Sequence, residues 1–190
     1  TQLFRAEYQH CGMYSCRIIA PGMSEIYPLD DLIYNNRVAA ASLREGLLKL
    51  TRMNQNQLGE FFDALELLGE SDHLLVSHFI GIVFDEDSVW ATLRIGEVKA
   101  LILLALGNHQ EALHWCEWCL DHADLPAHRR RLYRLIHTML GFALEGQEAN
   151  DYRSSLSLLY DSEEISKGQA IVNGQITFPG LTFGDSWTEI

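Results

Sequence analysis

Helix-capping residues recur along most of this chain, and their spacing limits what it can fold into. Asp30 or Asp31, Asn54, Ser71, Asp87 or Ser88, and Ser162 each stand just before a helix-forming run. At such a place a side-chain oxygen satisfies the free N–H groups of a first helical turn. Gly107 and Gly146 stand just after two of the runs, where glycine ends a helix. The pattern predicts helices from Asp30 or Asp31 to about Lys49, from Asn54 to about Leu68 and from Ser71 to about Phe84. Further helices are expected over 90–107, 109–123, 128–146, 149–160 and 163–172, the last capped by Ser162. The apolar run 74–84 also fits a buried strand. Short connections between helices of this length force antiparallel neighbours. The expected fold is therefore mainly α, built of stacked antiparallel helical hairpins.

The first residues differ. MYSCRIIAPG (13–22) carries the β-branched core Arg17-Ile18-Ile19 closed by Pro21-Gly22, which suits a strand entering a turn. One strand cannot satisfy its own backbone donors and acceptors, so it implies a sheet whose other strands lie mostly elsewhere. The expected organisation is a strand segment over 1–28, a helical domain over 29–173 and an irregular tail over 174–190. The chain opens without Met, and Ser186-Trp187-Thr188-Glu189 reads as a capping box one residue before the last. Both features suggest a piece of a longer protein.

The hairpin centred on Gly107 resembles a tetratricopeptide repeat. Such repeats place Gly at the end of their first helix and Glu-Ala shortly after, here Gly107 and Glu111-Ala112, with a small residue late in the second helix, here Cys119. Gly96 and Lys99-Ala100 depart from the usual pattern of the first helix. In this register Arg94 and Glu97 would face a groove and form a candidate binding surface for a protein or peptide. Trp118 lies near the polar edge of its helix, where a Trp either packs the next hairpin or anchors a partner.

The same helix carries His114-Trp115-Cys116-Glu117-Trp118-Cys119, which looks like a redox dithiol or half a zinc site. At about 100° per residue, Cys116 and Cys119 fall in the middle of an apolar arc shared with Ala112, Leu113, Leu120 and Ala123. A redox cysteine sits at a helix N-terminus after a strand, but Cys116 follows a full turn of helix. His114 and His122 do not converge with both thiols from one helix, and Cys11 and Cys16 have an unusual Cys-x4-Cys spacing for zinc. Packing is the preferred reading. The alternative is a small zinc or thiol-redox protein using Cys116 and Cys119.

Composition narrows the classes further. Among 190 residues, 26 Asp and Glu against 14 Lys and Arg give a net charge of −12, which argues against nucleic-acid binding. The basic knot Arg129-Arg130-Arg131 with Arg134 reads as a solvated helix face. No apolar run reaches the roughly 18 residues of a membrane helix, and no signal peptide is visible. Four cysteines do not make a disulfide scaffold, so a cytoplasmic setting is expected. No phosphate-binding loop, nucleophile elbow or His-Glu-x-x-His occurs. The acidic groups Glu25, Asp30, Asp31 and Asp85-Glu86-Asp87 read as caps and solvated loops. His10 and Cys11 are adjacent in extended chain and point opposite ways. No catalytic residue and no metal ligand is assigned.

The stretch Cys16-Arg17-Ile18-Ile19-Ala20-Pro21-Gly22-Met23 resembles the closing strand of YcaO-family proteins. The longer block 6–28, which includes Glu7 to Tyr14, looks like the stand-alone bacterial members, and residues 29–190 are similar to the tetratricopeptide-like helical extension that those carry. The resemblance implies an upstream core that binds ATP and magnesium and activates carbonyls by phosphorylation. Stand-alone members are accessory factors for methylthiolation of a small-subunit ribosomal protein. The core's ATP-binding motifs are not in this sequence, so no cofactor and no enzymatic role is expected of these residues. The implied partners are the protein's own upstream core, a second copy in a homodimer, and a protein or peptide.

Overall fold

The computed structural model describes residues 4–10, 13–19, 38–82, 84, 87–147 and 151–181. Two strands, β1 (Phe4–His10) and β2 (Met13–Ile19), pair antiparallel in register from Phe4↔Ile19 to His10↔Met13. The strand expected over 13–22 therefore has a partner within the chain. The missed signal is the period-two alternation of Phe4, Ala6, Tyr8 and His10 with Arg5, Glu7 and Gln9.

Nine α-helices follow among the described residues: α1 (Val38–Lys49), α2 (Gln55–Leu68), α3 (Val76–Ile80), α4 (Val89–Thr92), α5 (Ile95–Leu106), α6 (His109–His122), α7 (Ala127–Leu144), α8 (Arg153–Leu156) and α9 (Ser162–Val172). A 3-10 turn over Leu50–Arg52 extends α1. The part of the first expected helix that precedes Val38 lies outside the described residues, as does the capping box near Ser186. Asn54 caps α2 as its position suggests, accepting from the Gln57 N–H at 3.0 Å while Gln57 Oε1 accepts from the Asn54 N–H at 3.0 Å. Asp161, not Ser162, caps α9: its carboxylate accepts from the Glu164 N–H at 2.8 Å, and Glu164 Oε2 accepts from the Asp161 N–H at 3.0 Å. Ser162 is instead the first helical residue.

Two expectations fail for one reason. The helix expected over 71–84 is only the short α3, and the one expected over 90–107 breaks between α4 and α5. Leu75 and Arg94 form an isolated antiparallel bridge. The Val76 N–H donates to the Leu93 carbonyl at 2.8 Å, and the Ile95 N–H to the Leu74 carbonyl at 3.0 Å. Both segments are extended where they meet, with Leu75 at ψ 136° and Arg94 at ψ 158°. Pairing across the chain wins over local helix propensity, and Gly81, at φ 68°, then stops α3. The helix expected over 149–160 is reduced to α8 among the described residues.

The core has two parts divided by α5. Ile95, Val98, Leu101 and Ile102 face a cluster with α1–α4, including Leu47, Phe79 and Trp90. Ala100, Leu103 and Leu104 face a second cluster with α6, α7 and α9, including Cys116, Cys119, Ile136 and Leu140. Gly107, at φ 72°, turns α5 into α6 with one further residue, the Asn108 cap, so the two helices pack as an antiparallel hairpin. The segment after α9 returns to the first cluster, burying Phe178 and Leu181. Phe178 holds φ 50°, a conformation that a non-glycine residue keeps only where its surroundings compensate.

Helix α9 reaches α7 through Gly168. A Cβ there would lie 2.9 Å from Leu135 Cδ2 and 3.1 Å from Met139 Sδ. Gly168→Ala is therefore expected to destabilise the protein by about 1–3 kcal/mol. The check is a lower urea midpoint with an unchanged denaturant slope.

Candidate functional site

All ten residues from Ile95 to Leu104 on α5 are buried, including Glu97 and Lys99. A helix buried on every side must answer each charge it carries, because an unpaired buried ion is far more costly than a buried methyl. Glu97 is 1% exposed and meets Arg129 of α7, which is 7% exposed. Arg129 Nη2 donates to Glu97 Oε2, while Nη1 donates to the Thr92 hydroxyl at 2.6 Å. The buried Tyr133 of α7 adds a smaller effect that favours the ionised Glu97 carboxylate. One ionic knot thus joins α4, α5 and α7.

Burial pushes the Glu97 carboxyl above its ordinary range, and the Arg129 charge and hydrogen bond pull the other way. Burial likewise raises Tyr133, with the Glu97 charge adding to it. Cys116 and Cys119 sit beside this knot in the second cluster, both fully buried and free of disulfides. Burial, followed by the Glu97 charge, pushes the Cys116 thiol up to about 12 and raises that of Cys119 as well. Neutral thiols in an apolar stripe are packing groups, and redox chemistry needs the thiolate. Among the described residues no group of three or more His, Cys, Asp or Glu could hold a metal ion. Of the pair Cys11 and Cys16 weighed for zinc, Cys11 lies outside the described residues and Cys16 is described only as a backbone position of β2.

Glu97, expected on a groove wall, thus faces the interior. The side chain of Arg94, the N-cap position of α5, donates from Nη1 to the His73 carbonyl and braces the 71–75 segment. Trp118 is half-buried and lies over Gly96, where a Cβ would come within 2.5 Å of its ring. Around it stand His73 at 5.1 Å, His122 at 5.7 Å and Trp115 at 5.8 Å between ring centroids. Lys99 Nζ lies 4.6 Å from the centre of the Trp115 ring and pairs with Glu66 at 2.5 Å and Asp72 at 2.7 Å. The exposed rings of His73 and His122 make this edge of the α5–α6 hairpin an aromatic rim.

The basic knot on α7 is not a solvated face throughout. Arg129 serves Glu97 and Thr92; Arg130 donates to the Leu120 carbonyl at 3.2 Å and the Ala123 carbonyl at 3.5 Å at the end of α6. Arg131 forms a fork with Glu164, at 2.6 Å through Nε and 2.9 Å through Nη2. Three of the four guanidiniums of the knot are thus engaged within the chain. Sequence reasoning missed Arg129 and Tyr133 as partners of Glu97. The available signal was spacing: Arg129, Tyr133, Ile136 and Leu140 fall on one buried stripe of α7, an unusual place for a charge.

Replacing Arg129 by Met while Glu97 remains is expected to cost about 3–5 kcal/mol, and the double change Glu97→Leu with Arg129→Met much less. Urea unfolding of the two variants beside the unchanged protein checks this. A maleimide at pH 8 should leave Cys116 and Cys119 unmodified in the native protein and label both once it unfolds, as peptide mass spectrometry would report.

Comparison with known proteins places these helices. Residues 40–189 match the YcaO cyclodehydratase C-terminal domain family. The chain is 33% identical to the ribosomal protein S12 methylthiotransferase accessory factor YcaO of Escherichia coli (strain K12), over 97% of this chain and 32% of that protein. It is also 33% identical to an uncharacterized protein of Haemophilus influenzae, over 90% of this chain and 30% of that protein. The chain spans about a third of the length of these curated relatives. The chain belongs to the YcaO cyclodehydratase C-terminal domain family.

Proposed function

We propose that this chain is a non-catalytic assembly module of a longer, ATP-dependent YcaO-type protein, supporting its upstream core or its dimerisation during modification of a ribosomal protein. The family match over residues 40–189 carries the reading, together with the Escherichia coli relative named as an accessory factor for methylthiolation of ribosomal protein S12. The state of the reactive side chains supports it. The thiols are buried and neutral, Glu97 is committed to Arg129, and Arg129, Arg130 and Arg131 brace neighbouring elements. These residues build a scaffold. ATP and magnesium, on this reading, belong to the upstream core.

A tetratricopeptide-like use of the α5–α6 hairpin would place protein or peptide contacts at Arg94 and Trp118, on the aromatic rim. The cell compartment that suits this role is the cytoplasm, where ribosomal proteins are made and assembled.

The test uses the full-length protein carrying Arg94→Gln with Trp118→Leu, a pair that keeps apolar volume over Gly96. ATP turnover should stay within about twofold, while methylthiolation of the ribosomal protein, read by mass spectrometry, should fall about tenfold or more, the size of a lost interface anchor. Unchanged methylthiolation with an intact fold would remove the rim from the interaction.

A further inference from the structure

The segment between α8 and α9 combines two properties that seldom coincide. Its backbone is tightly held. Leu156, buried, accepts from the Leu159 N–H at 3.0 Å and from the Tyr160 N–H at 2.9 Å, and the Ser157 hydroxyl donates to the Ser154 carbonyl at 2.8 Å. Arg131 reaches across from α7 to fix the far side: it forks onto Glu164, donates to the Leu159 carbonyl, and lies 4.8 Å from the centre of the Tyr160 ring. Glu164 is in turn locked by its capping box with Asp161. Yet this braced turn presents Leu158 at 84% exposure and Leu159 at 67%.

Scattered surface leucines are ordinary. Two adjacent ones on a turn braced by an arginine fork, a carbonyl contact and a ring are pre-organised, so little ordering is left to cost on binding. The nature of the occupant follows from size. Two leucines cover a small fraction of the roughly 1,000 Å² that a stable interface between separate proteins needs. A contact that small holds only when its partner is tethered, because a linker supplies an effective concentration in the millimolar range. The net charge of −12 also opposes self-association through so small a patch. The relatives extend over about three times the length of this chain, which provides the tethered partner.

We propose that Leu158 and Leu159 dock the helical module onto the upstream part of its own protein, in an apolar pocket of that part. This rests on the reading of the chain as one module of a longer YcaO-type protein. It adds where the module attaches and makes Arg131 the residue that positions the anchor.

The experiment uses full-length protein with Leu158→Cys, compared with Gln110→Cys on the exposed face of α6. N-ethylmaleimide labelling at each site is followed by peptide mass spectrometry and normalised to its rate in urea. Position 158 should label at least about tenfold more slowly than position 110, as expected of a site that reacts only when a local contact opens. The ratio should not change with protein concentration. Adding Arg131→Gln should speed labelling at 158 and leave position 110 unchanged. Equal normalised rates would overturn the docking, and protection that grows with concentration would overturn the tethered occupant in favour of a second molecule. Methylthiolation is scored separately with Leu158→Ser and Leu159→Ser, so failure of the functional reading and failure of the docking are different results.

Discussion

The fold depends on how one helix is made tolerable inside. Helix α5 is enclosed on every side, so it can divide two apolar cores, but it also carries Glu97 and Lys99 into them. The Glu97 carboxylate is held by Arg129 from α7, and the arginine's other arm takes the Thr92 hydroxyl. Lys99 exits the opposite way, toward Glu66, Asp72 and the face of Trp115. Each charge therefore ties α5 to a different neighbour. Such pairs need not add stability over an apolar core. They specify instead which helices meet and in what register, since a shifted packing would leave a buried charge unanswered.

The arginines of α7 extend this logic outward. Three consecutive guanidiniums leave the helix in different directions and join three different elements: Arg129 to α5, Arg130 to the end of α6, and Arg131 to α9. Consecutive helical positions point about 100° apart, so a run of like charge can brace one helix on several sides. A planar donor fork suits carboxylates and carbonyls equally well. In a chain with net charge −12, these three cations are used for assembly of the fold. The aromatic rim around Trp118 and the leucine turn after α8 are, among the described residues, two surfaces open to solvent.

Local chemistry was legible where the signal and the structure act over the same few residues. Asn54 before α2 and Gly107 after α5 mark helix ends because a cap is a contact within one turn. The placement of Cys116 and Cys119 within an apolar arc was legible for the same reason, since one face of one helix decides it. What escaped was non-local. The Leu75–Arg94 bridge shortens α3 and separates α4 from α5, although only the first of the two windows, 74–84, also read as a strand and the window around Arg94 did not. The partner of Glu97 lies 32 positions away on α7. Trp118 was recognised as unusual, but its seat over Gly96 requires two helices to have met first.

The sequence by itself determined a mainly helical chain, the antiparallel turn at Gly107, the burial of both helix cysteines, and a family resemblance that the domain match bears out. These rest on backbone capping, on the 3.6-residue period and on residue identity, none of which needs a distant partner. Only the tertiary structure decided which charges are structural, which rings form a rim, and which leucines remain in water. Those outcomes follow from desolvation, and whether a group loses its water is settled by what the rest of the chain places against it.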